Sequence, residues 1–342
     1  MTELYRGPGG KGPRIVAIGG GTGLSTMLRG LKRYTNNITA IVTVADDGGG
    51  SGVLRQELGM LPPGDIRNCL EALANVEPLM GELLHYRFTE GSLRGQSFGN
   101  LFLAALNGIS GSFEQAVSSM SQVLAITGAV LPVTNANVQL EAEFENGARV
   151  LGESKIFYCK KQEQCRVQRV RLVPERPAAL PQALAAIAEA DMIVLGPGSL
   201  YTSVIPNLLV DGISEAILAS DALKVYVGNV MTQEGETEGY SHSDHIRALF
   251  EHSAPGLFSL SLVNSLSIPA QVCERYAFEG AEPVRVDKQN CAALGVELIE
   301  RPVSCVAHGY VRHDGELLAA ALLELHGRRR VRIAGEERYR KE

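Results

Sequence analysis

Short apolar runs alternate with segments of helical periodicity along most of the chain. Residues 14–18 and 37–45 are nearly continuous apolar and β-branched runs, and residues 24–34 between them have apolar side chains at helical spacing. Continuous apolar strands are typical of parallel sheets that are covered on both faces. A strand, a helix and a strand in this order predict a right-handed βαβ unit. The amino-terminal part of the chain therefore predicts an α/β protein.

The same alternation continues towards the carboxyl terminus. A helix is predicted at 66–76 with Asp65 as its N-cap, and another at 241–252 with Ser243 or Asp244 as its cap. Apolar strands are predicted within residues 191–207, 223–231 and 258–265. The first two of these strands run into glycine-rich or polar turns.

Residues 131–173 depart from this pattern. Polar and apolar residues alternate on either side of Asn146 and Gly147, and Asn-Gly is the strongest short signal for a β-hairpin. The segment therefore predicts an antiparallel insertion, or an antiparallel edge, on the main sheet.

Composition and charge narrow the class of protein. Of the 342 residues, 45% are hydrophobic and 20% are charged, with a formal net charge of −6, which argues against nucleic acid as a partner. Residues 326–342 carry seven Arg and Lys against three Glu, and this basic C-terminal tail is expected to be solvated. Residues 1–13 are rich in Gly and Pro, and we expect them to be disordered.

The cysteine pattern and the lack of a long apolar segment bear on location. The six cysteines form no Cys-x-x-Cys pair, and they are expected to be reduced thiols. No apolar stretch approaches the roughly twenty residues that a membrane span needs. We therefore expect a cytoplasmic protein without a membrane span.

A glycine-rich turn follows the first predicted strand. Four of the five residues 19–23 are glycine, yet Leu24 stands where the third glycine of the dinucleotide-binding motif belongs. The turn also lacks the lysine of a phosphate-binding P-loop. Bare backbone before a helix N-terminus favours an anionic ligand. A tight turn that packs the helix on its strand is the structural alternative.

Similar loops follow other predicted strands. Glycine-rich or polar stretches occupy residues 46–52, 196–203 and 229–237. Because the carboxyl ends of parallel strands meet at one edge of a sheet, these loops are expected to surround a single crevice of nucleotide size.

Polar groups near these loops allow two interpretations each. Asp46 and Asp47 could accept hydrogen bonds from a ribose or hold Mg²⁺ on a diphosphate. They could instead form an Asx turn that enters the glycine loop. Arg67 could clamp a phosphate, or it could form a surface ion pair on a capped helix.

The sequence indicates a binding site more clearly than a catalyst. His242 and His245 could ligate a metal with Asp244, but no third nitrogen or sulfur ligand lies nearby, and a helix-capping segment is favoured. The chain contains no Gly-x-Ser-x-Gly nucleophile elbow. We therefore expect a binding protein rather than an enzyme.

Seven stretches that occur in order within residues 14–325 resemble one family. They are IVAIGGGTGLS, VTVADDGGGSG, GMLPPGDIRNCLEALA, GNLFLAAL, TGAVLPVT, ADMIVLGPGSLYTSVIPNLLV and VYVGNVMTQEGET. Together they are similar to the gluconeogenesis factor family (YvcK-like), which is related to the 2-phospho-L-lactate transferases (CofD-like) of deazaflavin coenzyme synthesis.

The resemblance implies a fold and a ligand. The fold is a three-layer α/β/α, Rossmann-like parallel sheet with the antiparallel insertion at about 131–173, in a single domain over residues 14–325. The YvcK-like branch implies a cytosolic protein that binds UDP-N-acetylglucosamine or a related UDP-sugar. Such proteins support growth on gluconeogenic carbon, the supply of cell-wall precursors and cell shape. The CofD-like branch implies transfer of a phospholactyl group from a nucleotide diphosphate carrier.

The resemblance also implies which residues contact the ligand. Carried over by position, they are Gly20, Gly21, Thr22, Gly23, Asp46, Asp47, Gly48, Asn100, Gly198, Ser199, Tyr201, Asn229, Thr232, Tyr276 and Arg312. One departure concerns position 50, where this chain has Gly50 before Ser51 and the family pattern has a serine. Any role of a hydroxyl at that position is therefore lost.

We expect a UDP-sugar-binding regulator with no required cofactor, which acts on an enzyme of cell-wall precursor supply and associates with itself. The alternative is a CofD-like phosphotransferase, in which Asp46 or Asp47 would hold Mg²⁺ with the bound nucleotide diphosphate. An NAD-dependent dehydrogenase is disfavoured, because the dinucleotide motif fails and no catalytic acid is evident.

Overall fold

A seven-stranded sheet, in which every neighbouring pair is parallel, runs through the protein in the order β10-β9-β8-β7-β1-β2-β3. The computed structural model describes the backbone of residues 12–339 and the side chains of residues 12–329 and 331. In chain order the strands are β1 (Ile15–Gly19), β2 (Ile38–Val42), β3 (Ala129–Pro132), β4 (Gln139–Phe144), β5 (Arg149–Leu151), β6 (Val167–Val173), β7 (Met192–Leu195), β8 (Leu223–Val227), β9 (Leu260–Asn264), β10 (Glu297–Arg301), β11 (Ser304–Ala307) and β12 (Tyr310–His313).

Helices flank this sheet, and a short π-helical turn (Leu200–Val204) follows β7. The α-helices are α1 (Gly21–Leu31), α2 (Gly49–Leu58), α3 (Gly64–Leu73), α4 (Pro78–His85), α5 (Phe98–Ser110), α6 (Phe113–Val123), α7 (Glu153–Glu163), α8 (Pro181–Glu189), α9 (Ile205–Leu208), α10 (Ile213–Ala219), α11 (His242–His252), α12 (Ala270–Phe278), α13 (Lys288–Ala293) and α14 (Gly315–Tyr339).

The strand order reverses direction between β1 and β7. From β1 the chain moves to β2 and β3 on one side, whereas from β7 it moves to β8, β9 and β10 on the other. Right-handed crossovers in opposite directions place α1 and α8–α11 on opposite faces of the sheet. The carboxyl ends of β1 and β7 therefore border the crevice at which such sheets bind ligands.

Burial explains why the first unit forms as predicted. All five residues of β1 are buried, as a strand covered on both faces requires. In α1 the buried side chains Leu24, Met27, Leu28 and Leu31 recur at helical spacing, and this face packs beside β1 while α1 contacts α3 and α14. The expected three-layer α/β/α fold is confirmed.

The antiparallel insertion is confirmed as well. Strands β5, β4 and β6 form a separate antiparallel sheet, and the Asn-Gly turn joins β4 to β5, with Gly147 N–H donating to the Phe144 carbonyl at 2.8 Å. The expected boundary at residue 131 is wrong, because β3 belongs to the parallel sheet. The insertion also contains α7, whose charged and poorly patterned sequence gave no helical signal.

A second, smaller apolar cluster packs apart from the main core. We call it the satellite cluster; it consists of Tyr276, Ala281 and Val311 with the partly buried Val230, Met231, Ile268, Val272 and Tyr310. Its members come from α12 and the residues just before and after it, from the β11–β12 hairpin and from the loop after β8. The satellite cluster therefore stands over the carboxyl edge of the sheet.

Several local expectations need correction. Asp65 lies in the first turn of α3, and Pro63 occupies the N-cap. The cap of α11 is Ser241, which forms a capping box with Asp244. Within the expected glycine loop 46–52, residues 49–52 form the first turn of α2 (Gly49–Leu58), because the glycines start a helix whose later residues are good helix formers.

The two chain ends were expected to be unstructured. Of the expected N-terminal segment 1–13, residues 1–11 lie outside the described residues. Most of the expected basic tail continues α14 as far as Tyr339, and residues 340–342 lie outside the described part. Among the described helices, none is both long and apolar enough to cross a membrane.

Candidate functional site

The glycine loops after β1 and β7 contact each other at the reversal point. A Cβ atom on Gly198 would lie 3.1 Å from the carbonyl oxygen of Gly20. A Cβ atom on Gly23 would lie 2.7 Å from the carbonyl oxygen of Pro197. Real Cβ contacts at 2.7 Å essentially do not occur, so glycine at position 23 lets the two backbones approach.

The N-terminus of α1 points into this crevice, and its N-cap residue supplies no capping side chain. The N-cap residue is Gly20, which has no side chain, and the first turn of α1 contains no acidic residue. The Gly21 N–H donates to the buried carboxylate of Asp65. The neighbouring first-turn N–H groups of Thr22 and Gly23 have no acceptor within the helix, and the helix dipole favours an anion beside them.

A cavity of about 280 Å³ opens at this helix end. It lies between the glycine loops and the satellite cluster. Nine of the predicted residues line it: Gly21, Thr22, Gly23, Gly198, Ser199, Asn229, Thr232, Tyr276 and Arg312. Sequence reasoning did not identify the further lining residues Thr26, Pro197, Ser203, Val230, Met231, Gln233, Val311 and His313.

Hydrogen bonds between the loops fix the walls of the cavity. Asn229 donates from Nδ2 to the Gly198 carbonyl at 3.0 Å and accepts from the Tyr226 hydroxyl at 3.3 Å. The Ser199 hydroxyl donates to Gln233 Oε1 at 2.7 Å. Because these groups are engaged within the chain, they hold the loops that follow β7 and β8 together rather than offering free hydrogen-bonding groups to a ligand.

Arg312 and Tyr276 meet at the satellite side of the cavity. The Tyr276 hydroxyl accepts from the Val311 N–H at 3.0 Å, so this hydroxyl is engaged within the chain and links α12 to β12. The Arg312 guanidinium lies 5.4 Å from the centre of the Tyr310 ring and donates to the Val311 carbonyl. Within the described part of the chain, Arg312 has no carboxylate partner, and its positive charge is therefore uncompensated.

A group of carboxylates lies behind the glycine loops, and it consists of Asp46, Asp65, Glu153 and Glu236. Burial raises the pKa of Glu153 to about 8, and the charges of Asp46 and Glu236 add to that shift. Burial likewise raises the pKa of Glu236 to about 7 and that of Asp65 to about 6. These groups hold protons more tightly than free carboxylic acids because ionisation would place like charges together in a poorly solvated region.

The hydrogen bonds of Asp46 and Asp47 favour the structural interpretation of this pair. Asp46 Oδ1 accepts from the Gly48 N–H at 2.8 Å, which is the geometry of an Asx turn. Asp47 Oδ1 accepts from the Ser154 N–H at 2.8 Å in the first turn of α7. In the described residues no group of three or more His, Cys, Asp or Glu is placed to hold a metal. A metal there would need oxygen ligands from a phosphate as well.

Six predicted residues do not line the cavity, namely Gly20, Asp46, Asp47, Gly48, Asn100 and Tyr201. The buried Tyr201 hydroxyl bonds to the Tyr240 hydroxyl at 2.9 Å. Asn100 is buried on α5, where its N–H donates to the Ser97 cap. The structure therefore divides the predicted residues between the cavity and the supporting layer behind the loops.

Other candidates make contacts within the chain. Arg67 pairs with Glu71 at 2.7 Å, and the side chains are 11% and 3% exposed, so this ion pair is buried rather than at the surface. His242 Nε2 lies 2.9 Å from the Ser261 hydroxyl, and His245 Nδ1 lies 2.9 Å from the Ser241 carbonyl. Both histidines support the capped start of α11, as the capping interpretation predicted.

Comparisons with known proteins identify relatives of this chain. The family model described as 2-phospho-L-lactate transferase CofD matches residues 15–304. The gluconeogenesis factor of Bacillus subtilis is 49% identical over 317 residues, covering 92% of this chain and 99% of that protein. The "Putative gluconeogenesis factor" of Thermoanaerobacterium thermosulfurigenes is 56% identical over 316 residues, covering 92% of this chain and 97% of that protein.

A solved structure extends the likeness to the fold. The crystal structure of a protein from Bacillus halodurans matches with a TM-score of 0.89 at 49% sequence identity, covering 92% of this chain and 100% of that chain. Sequence and fold thus agree along nearly the whole chain. The protein belongs to the CofD family and, within it, to the group of the gluconeogenesis factors.

Proposed function

We propose that this protein binds a UDP-sugar of the UDP-N-acetylglucosamine type as a regulatory ligand. The observation that carries this proposal is the cavity at the N-terminus of α1, which Arg312 faces from the satellite side. A diphosphate is doubly anionic, and these are the two kinds of group that bind phosphate most often, namely free helix N–H groups and an unpaired guanidinium.

The regulatory role is supported by the relatives that are named gluconeogenesis factors. The cavity lining contains no cysteine, lysine or carboxylate side chain, and its Ser199 hydroxyl is engaged with Gln233. A regulator needs only a difference in affinity between two states or partners. We propose that it acts in the cytoplasm on an enzyme of cell-wall precursor supply, and so on cell shape, and that it associates with itself.

Isothermal titration calorimetry tests this proposal with the purified full-length chain. UDP-N-acetylglucosamine, UDP-glucose, GDP and NAD would be titrated separately, with and without Mg²⁺, and the UDP-sugars should bind most tightly. Ligand-induced thermal shifts provide a second measurement, since stabilisation grows as RT ln(1 + [L]/Kd). Absence of binding and of competition at millimolar UDP-sugar would contradict the proposal.

A CofD-like phosphotransferase is the second candidate, favoured by the carboxylates behind the glycine loops. Asp46 and Asp65 lie close enough for their charges to interact, and Glu153 interacts with both. Asp46 or Asp47 could hold Mg²⁺ together with the phosphates of a bound donor, where the metal would neutralise charge. Incubation with Mg²⁺, a nucleotide-activated phospholactate and a deazaflavin acceptor tests this reaction, and lack of product rules it out.

A further inference from the structure

His313 ends strand β12 and lines the cavity next to Arg312. Its Nε2 atom lies 3.2 Å from the carbonyl oxygen of Gly228, in the loop after β8. Because a carbonyl oxygen can only accept a hydrogen bond, Nε2 must carry the ring hydrogen. The loop after β8 thus fixes one tautomer of this histidine.

The other ring nitrogen is left without a partner. Within the described part of the chain no group bonds to Nδ1 of His313, and this atom is not enclosed by protein. Burial of the ring lowers the pKa of His313 to about 4, so the imidazole is neutral near pH 7. A neutral imidazole with its hydrogen on Nε2 presents a lone pair at Nδ1.

The lone pair of His313 is a hydrogen-bond acceptor, whereas the charged and helix-end groups near it are donors. The guanidinium of Arg312 and the N–H groups at the start of α1 are donors, which suit phosphate oxygens. An Nδ1 lone pair repels those oxygens and attracts an N–H or O–H group instead. The two kinds of group therefore favour different parts of the same ligand.

We propose that His313 is a positioning residue whose Nδ1 accepts a hydrogen bond from a neutral N–H or O–H group of the ligand. This inference rests on the proposed function and names the part of the UDP-sugar that His313 selects. It selects one of the two uncharged parts that flank the diphosphate. These parts are the uridine, with its uracil imide as a donor, and the sugar, with its hydroxyls and amide as donors. The contact fixes the position of the diphosphate along the cavity, since a ligand shifted so that its phosphate oxygens faced Nδ1 would set them against the lone pair.

The tautomer is tested without any ligand. In protein labelled with ¹⁵N at histidine, long-range ¹H–¹⁵N spectra should show His313 with a protonated Nε2 and an unprotonated Nδ1 at pH 7. The His313→Gln variant identifies the signals by their loss. A hydrogen on Nδ1 would overturn the proposal.

Two variants then separate the two ring nitrogens in calorimetry with UDP-N-acetylglucosamine and UDP. His313→Asn places an acceptor near the Nδ1 position, and His313→Gln keeps a donor towards Gly228 but loses that acceptor. We expect His313→Gln to lose about tenfold in affinity, the usual worth of one hydrogen bond, and His313→Asn to retain most of it. A loss for both ligands places the donor in the UDP half, and a loss for the UDP-sugar alone places it on the sugar.

The remaining outcomes decide against the proposal in distinguishable ways. Equal affinity of the wild type and both variants means that His313 makes no contact with the ligand. An equal loss in both variants, together with a lower melting temperature, assigns the residue a structural role. Absence of wild-type binding despite the expected tautomer removes the proposed function itself.

Discussion

The backbone carbonyl of Pro197 lies where a side chain on Gly23 would begin, since a Cβ atom at position 23 would stand 2.7 Å from that oxygen. One residue belongs to the turn after β1 and the other to the turn after β7. Their contact closes the floor of the candidate site at the point where the strand order reverses.

We predict that Gly23→Ala destabilises the protein by about 1–3 kcal/mol and weakens ligand binding, because the two turns must move apart. Urea denaturation gives the free energy of unfolding, and calorimetry gives the affinity. Gly81→Ala is the matched control, since a Cβ there would meet no atom within 4 Å and the residue lies inside α4. That control should be neutral or stabilising by up to about 1 kcal/mol. Equal stability of the two variants would contradict the prediction.

We predict that Arg312→Ala weakens UDP-sugar binding by about 1.5–3 kcal/mol while leaving the free energy of unfolding nearly unchanged. The reason is the loss of a charge-assisted contact to the diphosphate by an exposed side chain that lacks a carboxylate partner in the described part. Calorimetry with UDP-N-acetylglucosamine measures the change. Arg176→Ala is the control, because Arg176 pairs with Asp211 and does not line the cavity. An unchanged affinity in Arg312→Ala would remove this residue from the site.

The carboxylates behind the loops make stability depend on pH. Burial raises the pKa of Glu153 from an ordinary 4.5 to about 8, so between these pH values the folded chain holds a proton that the unfolded chain has released. Stability from this group is complete below about pH 4.5 and is lost as the pH rises through 8. The slope for a single proton is at most about 1.4 kcal/mol per pH unit.

We predict that Glu153→Gln is more stable than the wild type at pH 9 and that this advantage shrinks towards pH 5, because glutamine mimics the neutral acid. Urea denaturation at both pH values measures the difference. Glu90→Gln, at an exposed position, should show no such change with pH. An advantage of the same size at both pH values would mean that packing, and not ionisation, distinguishes Glu153→Gln from the wild type.

His252 joins the antiparallel insertion to the main domain. Its Nε2 accepts the Val170 N–H at 3.0 Å, and its Nδ1 donates to the Ala248 carbonyl. Burial lowers the pKa of His252 to about 4, so the unfolded chain takes up this proton first as the pH falls from about 6.5. Stability from this group is therefore present above pH 6.5 and is lost towards pH 4.

We predict that His252→Gln, which keeps an acceptor but does not titrate, loses less stability than the wild type between pH 7 and pH 5. His252→Ala should cost about 1–3 kcal/mol at pH 7, because the Val170 N–H is left buried and unpaired. Urea denaturation measures both effects, and His308→Gln at an exposed position is the control. An equal loss of stability between pH 7 and pH 5 in His252→Gln and in the wild type would show that His252 does not cause this pH dependence.

Much of the fold follows from local patterns. The continuous apolar runs of β1 and β2 could only be satisfied by a sheet covered on both faces, and the Asn-Gly turn fixed the β4–β5 hairpin. The start of α2 could not be predicted in the same way, because a run of glycines fits a loop equally well. Helix α7 contacts β4 and β5. These contacts stabilise it, and no periodicity in its sequence predicts the helix.

Part of the candidate site could likewise be predicted from the sequence, and part of it could not. The loops could be placed at one edge because the order of parallel strands decides where their ends meet. The burial of Glu153 and Glu236 could not be predicted, since acidic residues in loops and first turns are ordinarily solvated. His313 gave no signal either, because its value to the site comes from the Gly228 carbonyl across the cavity, which only the folded chain brings within reach.

The separation of the satellite cluster from the main core has a mechanical consequence. A molecule in the cleft between them touches both, so its binding free energy is added to the contacts that hold α12 and the hairpin against the sheet. Phe278, at the end of α12, is 96% exposed and lies on the same helix as Tyr276, which lines the cavity. A ligand that stabilised the position of α12 would therefore also stabilise the position of this side chain. A second macromolecule that touches this outer surface could in this way respond to metabolite supply with no chemical reaction taking place.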